Sequence, residues 1–234
     1  MSSFPRAFIA IALAAAIAPE SGSIAVRRAL EARYQHAHTL RAAFFERYSD
    51  GNGDAQSESG TVYFSRPGRM RWEYESPEQE LFLVDGKNVW FYVPADHTAS
   101  HAKLKESSDW RTPIALLVGK ADLSQLCRQI GVVTGSAGQD LQGVEGSATP
   151  GDTVLRCTPR GESAQEASKQ VILLDVDPNA YLSRVVIHEP GNITTEFRFG
   201  NWEENIPLAE AKFHFEPPPG VSIVDEESLA GEMH

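Results

Sequence analysis

Residues 69–93 read RMRWEYESPEQELFLVDGKNVWFYV and carry the clearest secondary-structure signal in the chain. In the first part, charged residues alternate with large apolar ones, which is the period of a half-buried β-strand. The large apolar residues of that part are Met70, Trp72 and Tyr74. The next two runs, residues 81–84 and 89–93, are apolar on both faces, so both sides of the sheet must be covered there. Either helices and a second sheet pack on the two faces, or the sheet curls and encloses space.

The period-two pattern recurs on both sides of this stretch, between turn segments rich in Gly, Pro, Asn and Asp. It predicts about ten short strands between residues 42 and 215. Before them, apolar residues at helical spacing predict one amphipathic helix over about residues 23–39, and a second helical region interrupts the strands over residues 109–126. The apolar stripe of the first helix is Val26, Leu30, Tyr34 and Ala37. The predicted fold class is mainly β (α+β), with one long antiparallel sheet and two or three short helices.

The N-terminus has the three-part layout of a secretory signal peptide. A short leader with one positive charge precedes the apolar residues 7–18, and Ala16-Ile17-Ala18 fits the cleavage pattern. This apolar stretch is too short for a bilayer core, which needs about 20 residues. We therefore expect cleavage near Ala18, a single domain over residues 19–234, and export from the cytoplasm. The apolar stretch is not followed by a cysteine for lipid attachment.

The charge and the motifs exclude several classes of function. The 234 residues carry a formal net charge of −11, which disfavours binding to nucleic acid. The loop at Asp50 fails as a calcium site because its sixth position is Ala55 and its twelfth is Thr61. His97 and His101 occur without other zinc-ligand signatures, and the sequence contains no G-x-S-x-G elbow. The sequence therefore predicts no enzyme, no cofactor and no metal site.

Two cysteines, Cys127 and Cys157, stand 30 residues apart. In an oxidising compartment they can form a disulfide. If residues 126–134 and 153–158 form an antiparallel hairpin, the two cysteines lie near opposite positions. Otherwise they are free thiols, since two isolated cysteines do not make a metal site.

Five segments of the chain together resemble one protein family, the periplasmic outer-membrane lipoprotein carriers of the LolA family. The most specific are SRPGRMRWEY at 65–74 and VDGKNVWFYVP at 84–94. TPIALL at 112–117, AKFHF at 211–215 and PPGV at 218–221 follow in the family's order. The resemblance spans most of the chain after residue 18, although residues 127–165 do not contribute to it.

The resemblance implies an open, incomplete antiparallel β-barrel of about eleven strands, with a lid of two or three short α-helices. It also implies a monomeric carrier whose cavity holds the acyl chains of lipoproteins. The donor would be an inner-membrane lipoprotein-releasing ABC transporter, and the recipient an outer-membrane acceptor. In the family, an arginine that matches Arg66 helps to hold the lid closed. Met70 stands where the family often has an aromatic residue.

The lipid-binding residues follow from the alternation within the strands. We expect Met70, Trp72 and Tyr74 to point into the cavity because their neighbours are charged. If the four-residue turn after them keeps the phase, the strands that follow contribute Leu81, Leu83, Trp90 and Tyr92. A slip of one residue would substitute Phe82, Val84 and Phe91. The expected lid contacts are Ile114 and Leu117.

Other functions remain as alternatives. A protein of the same fold can carry another amphiphile, or sense lipid as a regulator of envelope stress. A secreted enzyme that acts on lipid would need catalytic groups that the sequence does not display. The lipid-anchored acceptor of the same pathway would need the attachment cysteine.

Overall fold

A computed structural model describes residues 20–104, 117, 122–133, 149–160 and 170–225 of the chain. The helices are α1 (Glu20–His36), α2 (Leu123–Leu126) and a 3-10 helix (Glu210–Phe213). The strands are β1 (Thr39–Ser49), β2 (Ala55–Ser65), β3 (Arg69–Ser76), β4 (Glu80–Val84), β5 (Asn88–Val93), β6 (Thr98–Lys103), β7 (Cys127–Val132), β8 (Thr153–Pro159), β9 (Val171–Val176), β10 (Leu182–His188), β11 (Thr194–Glu204) and β12 (Ser222–Asp225).

The twelve described strands form one sheet with the order β12-β6-β5-β4-β3-β2-β1-β11-β10-β9-β8-β7. Neighbouring strands are antiparallel, except that β12 runs parallel to β6. Within the described residues, β7 and β12 end the strand order and do not pair with each other, so the sheet is not closed. The predicted mainly β fold, an open antiparallel barrel, is confirmed, with twelve strands where about eleven were expected.

The sheet curls so strongly that side chains of distant strands meet. Trp72 on β3 and Phe197 on β11 are separated by β2 and β1 in the strand order. In a flat sheet, strands three positions apart would be about 14 Å from each other. The two ring centroids are only 5.5 Å apart, because both side chains project from the concave side. We call this concave side the inner face and the opposite side the outer face.

Helix α1 packs on the inner face through the apolar stripe seen in the sequence. Leu30, Tyr34 and Ala37 are buried there, and Val26 packs against them at the margin. The Tyr34 hydroxyl accepts a hydrogen bond from the backbone N–H of Leu182 at 3.0 Å, and burial raises the pKa of this phenol. The predicted helix over residues 23–39 is therefore present with different bounds. It ends at His36 because Thr39 already pairs with Ser65 as the first residue of β1.

The strand register differs from the preferred prediction between β3 and β4. Tyr74 pairs with Glu80, so five residues rather than four separate the paired positions. An odd number keeps even-numbered residues of both strands on the same face, and Trp72 pairs with Phe82. The expectation for four residues is therefore wrong and the slipped register is correct. The outer face therefore holds four residues that were expected to face the cavity: Leu81, Leu83, Trp90 and Tyr92.

The C-terminal part of the chain covers these outer-face residues. Phe213 is buried against Leu81 and Leu83, and Leu208 packs at the edge of the same cluster. The ring of Phe215 lies 5.5 Å from that of Trp90 and 5.2 Å from that of Tyr92, between centroids. We call residues 206–217 the outer strap. It explains why β4 and β5 are apolar on both faces: one faces the curled interior and the other faces the outer strap.

Three charged side chains are buried together on the outer face of the β9–β11 region. Arg184 Nε donates to Glu196 Oε1 at 2.6 Å, and its Nη1 lies 3.5 Å from Asp175 Oδ2. Asp175 is fully buried, and burial raises the pKa of its carboxyl, although Arg184 opposes the rise. Arg198 approaches Glu196 Oε1 from the solvent side at 2.8 Å.

A disulfide joins Cys127 and Cys157 across the β7–β8 hairpin. The hairpin has the antiparallel pairing expected from the sequence, with Cys157 opposite Ile130. Both cysteines are buried in the inner core, so the bond ties the last two strands of the sheet together at the level of the core.

Two parts of the sequence prediction lie outside the described residues: the signal peptide over residues 1–18, and Ile114 with most of the expected helical region around it. Of that region, helix α2 is described, and it is tied to α1 by a hydrogen bond from Leu123 N to Glu31 Oε1 at 3.0 Å. Helices with the length and apolar character of a membrane span are not found in the part of the chain that the structure describes.

Candidate functional site

The inner face is centred on an aromatic cluster around Trp72. The indole has no exposed surface, and four phenylalanine rings surround it. The ring centroids lie at 4.7 Å for Phe44, 5.5 Å for Phe197, 6.1 Å for Phe199 and 6.2 Å for Phe64. Most of these pairs meet edge to face, the arrangement that aromatic quadrupoles favour. We call these five residues the aromatic cluster.

Alternation along the strands places these side chains. In β1, even-numbered residues face inward, so Phe44 follows Ala42 and Leu40 into the core. In β3 the same phase brings Met70, Trp72 and Tyr74 inward, as the sequence predicts. The inner wall continues into β4 and β5 through Phe82, Val84, Val89 and Phe91. Phe91 is the half-buried member of this group, whereas the other three are buried.

The opposite wall is aliphatic. Strands β8, β9 and β10 contribute Leu155, Ile172, Leu174, Val185 and Ile187. Leu117 is fully buried in the same core, in agreement with its expected position against the inner face. The structure thus brings together Met70, Trp72, Tyr74 and Leu117, and it separates them from the four residues that turned to the outer face.

A polar pair interrupts the apolar wall at one end of the aromatic cluster. The Tyr74 hydroxyl donates to Glu46 Oε2 at 3.1 Å, and both side chains are buried. Sequence reasoning missed Glu46. The alternation of β1 could have placed Glu46 inward, since it stands two residues after Phe44. Sequence reasoning does not favour this position, because burying a carboxylate is costly unless it has a hydrogen-bonding partner.

The indole N–H of Trp72 is a second polar group on the inner face. Trp72 Nε1 is buried, and it makes no hydrogen bond within the described part of the chain. By contrast, Trp202 Nε1 donates to the carbonyl of Leu182 at 2.9 Å. The two indoles therefore differ in hydrogen bonding although both belong to the inner core.

Arg66 follows β2 and leads into the turn before β3. Its backbone N–H donates to the carbonyl of His38 at 2.9 Å, which anchors this turn beside the end of α1. Its side chain is half-buried, and desolvation lowers the pKa of the guanidinium. Arg69, the next arginine, instead reaches the outer face, where it donates to Ser65 Oγ at 2.8 Å and lies over the ring of Phe213.

The arrangement is suited to holding apolar chains. Its walls are formed by aromatic and aliphatic side chains from nine strands, and polar groups are few among them. Among the described residues, His, Cys, Asp and Glu side chains do not gather in groups of three or more that could hold a metal ion. The buried carboxylates among the described residues have partners of their own. Glu46 is bonded to Tyr74 on the inner face, and Glu196 and Asp175 contact Arg184 on the outer face.

Known proteins share both the sequence pattern and the fold. An "Outer-membrane lipoprotein carrier protein" of Nitrosospira multiformis is 28% identical over 200 residues, which cover 84% of this chain and 87% of that protein. One of Dechloromonas aromatica is 29% identical over 197 residues, with coverage of 82% and 84%. A crystal structure of an uncharacterized conserved protein from Thermus thermophilus superposes with a TM-score of 0.50 at 12% identity, covering 88% of this chain and 99% of that chain, which shows the fold alone.

The family comparison covers the described sheet almost completely. The model of the family "Outer membrane lipoprotein carrier protein LolA" matches residues 35–216. This span runs from the end of α1 through the outer strap, and it includes every strand that contributes to the inner face described above. The chain belongs to the LolA family of outer-membrane lipoprotein carrier proteins.

Proposed function

We propose that this protein is a soluble periplasmic chaperone that holds the acyl chains of lipoproteins against its inner face. The carrier acts as a monomer. It receives the lipoprotein from an inner-membrane lipoprotein-releasing ABC transporter and passes it to an acceptor at the outer membrane. The observation that carries the proposal is the extended, largely apolar inner face, which runs from Phe91 on β5 to Ile187 on β10. Membership of the lipoprotein carrier family supports the choice of cargo.

The physical need for such a carrier follows from the hydrophobic effect. Each methylene group exposed to water costs about 0.8 kcal/mol, so two or three long chains cost tens of kcal/mol. Unassisted transfer across an aqueous gap is therefore negligible. A curled sheet with aromatic and aliphatic walls offers the chains an environment comparable to the bilayer interior.

The carrier must also release its cargo. A closed empty state makes this possible, because the free energy spent on opening reduces the net affinity for the ligand. We propose that Arg66 contributes to the closed state by holding the lid, and that Leu117 and Ile114 belong to the lid surface in contact with the chains. The half-buried position of Arg66 beside the end of α1 is consistent with this role.

Release from membranes tests the proposal directly. Inner-membrane vesicles that contain a radiolabelled lipoprotein and the purified ABC transporter would be incubated with ATP and this protein. We expect labelled lipoprotein to appear in the supernatant in a one-to-one complex with the protein. A supernatant without lipoprotein, under conditions in which a known carrier releases it, would contradict the proposal. Native mass spectrometry of protein from its own host would reveal another amphiphile by its mass.

A pair of adjacent substitutions tests which face binds the chains. Phe91 and Tyr92 are both half-buried, but Phe91 lies on the inner face and Tyr92 packs on the outer strap. We expect Phe91→Glu to weaken binding of a fluorescent fatty acid by about tenfold or more, since burying a phenylalanine is worth about 1.5–3 kcal/mol. Tyr92→Glu should change the affinity less than twofold to threefold, about the level of an indirect effect. Equal losses in both variants would show that the inner face is not the binding surface.

A second substitution tests the role of Arg66. We expect Arg66→Leu to leave the fold intact and to bind the same fatty acid about three to ten times more tightly, because loss of one hydrogen bond to a charged group makes opening easier. Delivery of a bound lipoprotein to acceptor liposomes should slow by a similar factor. Arg69→Leu is the charge-matched control, since its contacts are on the outer face. Unchanged affinity and delivery in Arg66→Leu would remove the proposed latch.

Export is tested by the N-terminus of the mature protein. We propose that residues 1–18 are a signal peptide and that residues 19–234 form the carrier domain. Sequencing of the protein from the periplasmic fraction should then begin at Pro19. A protein that retains Met1 in that fraction would contradict cleavage.

A further inference from the structure

Trp72 combines complete burial with an indole N–H that makes no hydrogen bond within the described residues. A buried donor without an acceptor is unfavourable, because it loses the hydrogen bond that it makes to water when exposed. Buried tryptophan N–H groups usually find a partner, as Trp202 does on the carbonyl of Leu182. The indole of Trp72 is therefore a polar group for which the described part of the chain provides packing but no acceptor.

The described neighbours of the indole explain why none of them accepts its hydrogen bond. The rings around the indole are Phe44, Phe64, Phe197 and Phe199. Across the sheet, Trp72 pairs with Val62 on one side and with Phe82 on the other. A bridging water would need two to four polar partners at this point, and these six neighbours have apolar side chains.

We propose that the Trp72 indole N–H is a hydrogen-bond donor for an acyl carbonyl of the bound lipid. This inference rests on the proposed function, because it assigns a polar subsite to the same inner face. Each ester-linked acyl chain brings one carbonyl oxygen into the apolar interior, and that oxygen loses its hydrogen bonds to water on entry. Pairing it with the indole satisfies two buried polar groups in one contact, which neither the described neighbours of the indole nor a plain hydrocarbon can do.

The pairing gives the inner face a chemical preference beyond hydrophobicity. Ester-linked lipids provide the acceptor, whereas ether-linked lipids of equal chain length lack the carbonyl. A neutral hydrogen bond of about 0.5–1.5 kcal/mol corresponds to a preference of roughly twofold to tenfold for the ester. Chain length and headgroup contribute equally to both kinds of ligand, so the ratio of the two affinities isolates the carbonyl.

The test compares two short lipids below their micellar concentrations. One is dihexanoyl phosphatidylcholine, and the other is its di-O-hexyl ether analogue. By calorimetry on the full-length mature protein, we expect the ester to bind about three to ten times more tightly. In Trp72→Phe the ratio should fall to about one, while Trp90→Phe, on the outer face, and Trp202→Phe, whose indole is already bonded, should keep it.

A spectroscopic measurement on the unaltered protein covers the case in which Trp72→Phe fails to fold. In protein labelled with nitrogen-15 at tryptophan, the indole signals of Trp90, Trp110 and Trp202 are assigned by single substitutions, which leaves Trp72. The ester lipid should shift the Trp72 indole proton downfield, toward a hydrogen-bonded position, and the ether lipid should not.

The outcomes separate this inference from the proposed function. Equal affinity for ester and ether lipids, or an ester preference that survives in Trp72→Phe, would overturn the role of the indole and leave the carrier function in place. A Trp72 indole proton that shifts equally with both lipids would do the same. If neither lipid binds, the proposed function itself fails.

Discussion

Replacing Arg184 by methionine is expected to lower the free energy of unfolding by about 3–5 kcal/mol. The guanidinium lies between two carboxylates, 2.6 Å from Glu196 Oε1 and 3.5 Å from Asp175 Oδ2, and all three side chains are buried. Methionine has a similar length but no charge, so the variant retains two buried carboxylates without their shared cation. Leaving buried charges uncompensated costs more than the intact cluster contributes.

Arg198→Met is the matched control for this prediction. Arg198 also contacts Glu196 Oε1, at 2.8 Å, but 43% of its side chain is exposed. Exposed ion pairs are worth about 0–1 kcal/mol, so this variant should unfold almost as the original protein does. Urea unfolding followed by circular dichroism compares the two. A loss below about 1 kcal/mol in Arg184→Met would show that the buried cluster does not depend on its cation.

The stability of the Arg184→Met variant should also depend on pH in a characteristic way. Burial raises the pKa of the Asp175 carboxyl, and Arg184 counteracts part of this rise. A carboxyl whose pKa is raised by folding contributes stability below its unfolded pKa and loses it as the pH rises through the folded pKa. Without Arg184 the pKa of Asp175 rises further, so acidification toward about pH 5 should reduce the deficit of the variant. A deficit that grows on mild acidification would contradict this assignment.

Removal of the Cys127–Cys157 disulfide is expected to cost about 3–4 kcal/mol of stability, because the bond closes a long loop in the unfolded chain. The two cysteines are 30 residues apart. For a protein of this size, the loss corresponds to a decrease in melting temperature of about 10 °C. The bond also joins β7, an end strand of the described sheet, to its only neighbour in the strand order.

Thermal unfolding with and without a reducing agent measures this effect. The double variant Cys127→Ala with Cys157→Ala should melt near the temperature of the reduced protein and should no longer respond to the reducing agent. A melting temperature that is the same for the oxidised and reduced protein would contradict the prediction. Because the inner core contains both sulfur atoms, fatty-acid binding measured in parallel shows whether the aliphatic wall depends on the bond.

Some features of the site could be predicted from local sequence patterns. Alternation in β3 is sufficient to place Met70, Trp72 and Tyr74 on one face, because side chains in a strand point to opposite sides in turn. The helical stripe of α1 was found for the same reason, and its residues Leu30, Tyr34 and Ala37 are buried as expected. Its bounds were less accurate, since the position where a helix gives way to a strand depends on pairing with β2.

Other features required information that no local pattern contains. Five residues, not four, separate the paired positions at the turn between β3 and β4. This difference of one residue determines whether Phe82 or Leu81 faces inward. Both residues are apolar, so the sequence offers no contrast between the two faces. Glu46 was missed for the opposite reason, because a carboxylate is not expected on an inner face unless its partner, Tyr74, is known.

The sequence by itself determined the period of each element, the family of the protein and the core side of β3, because these follow from short-range order along the chain. The tertiary structure alone decided the strand register after Tyr74, the covering of Leu81 and Trp90 by the outer strap, and the burial of Arg184 between two carboxylates. Each of these depends on contacts between residues distant in the sequence. These contacts stabilise the protein only once the sheet has curled and brought the distant residues together.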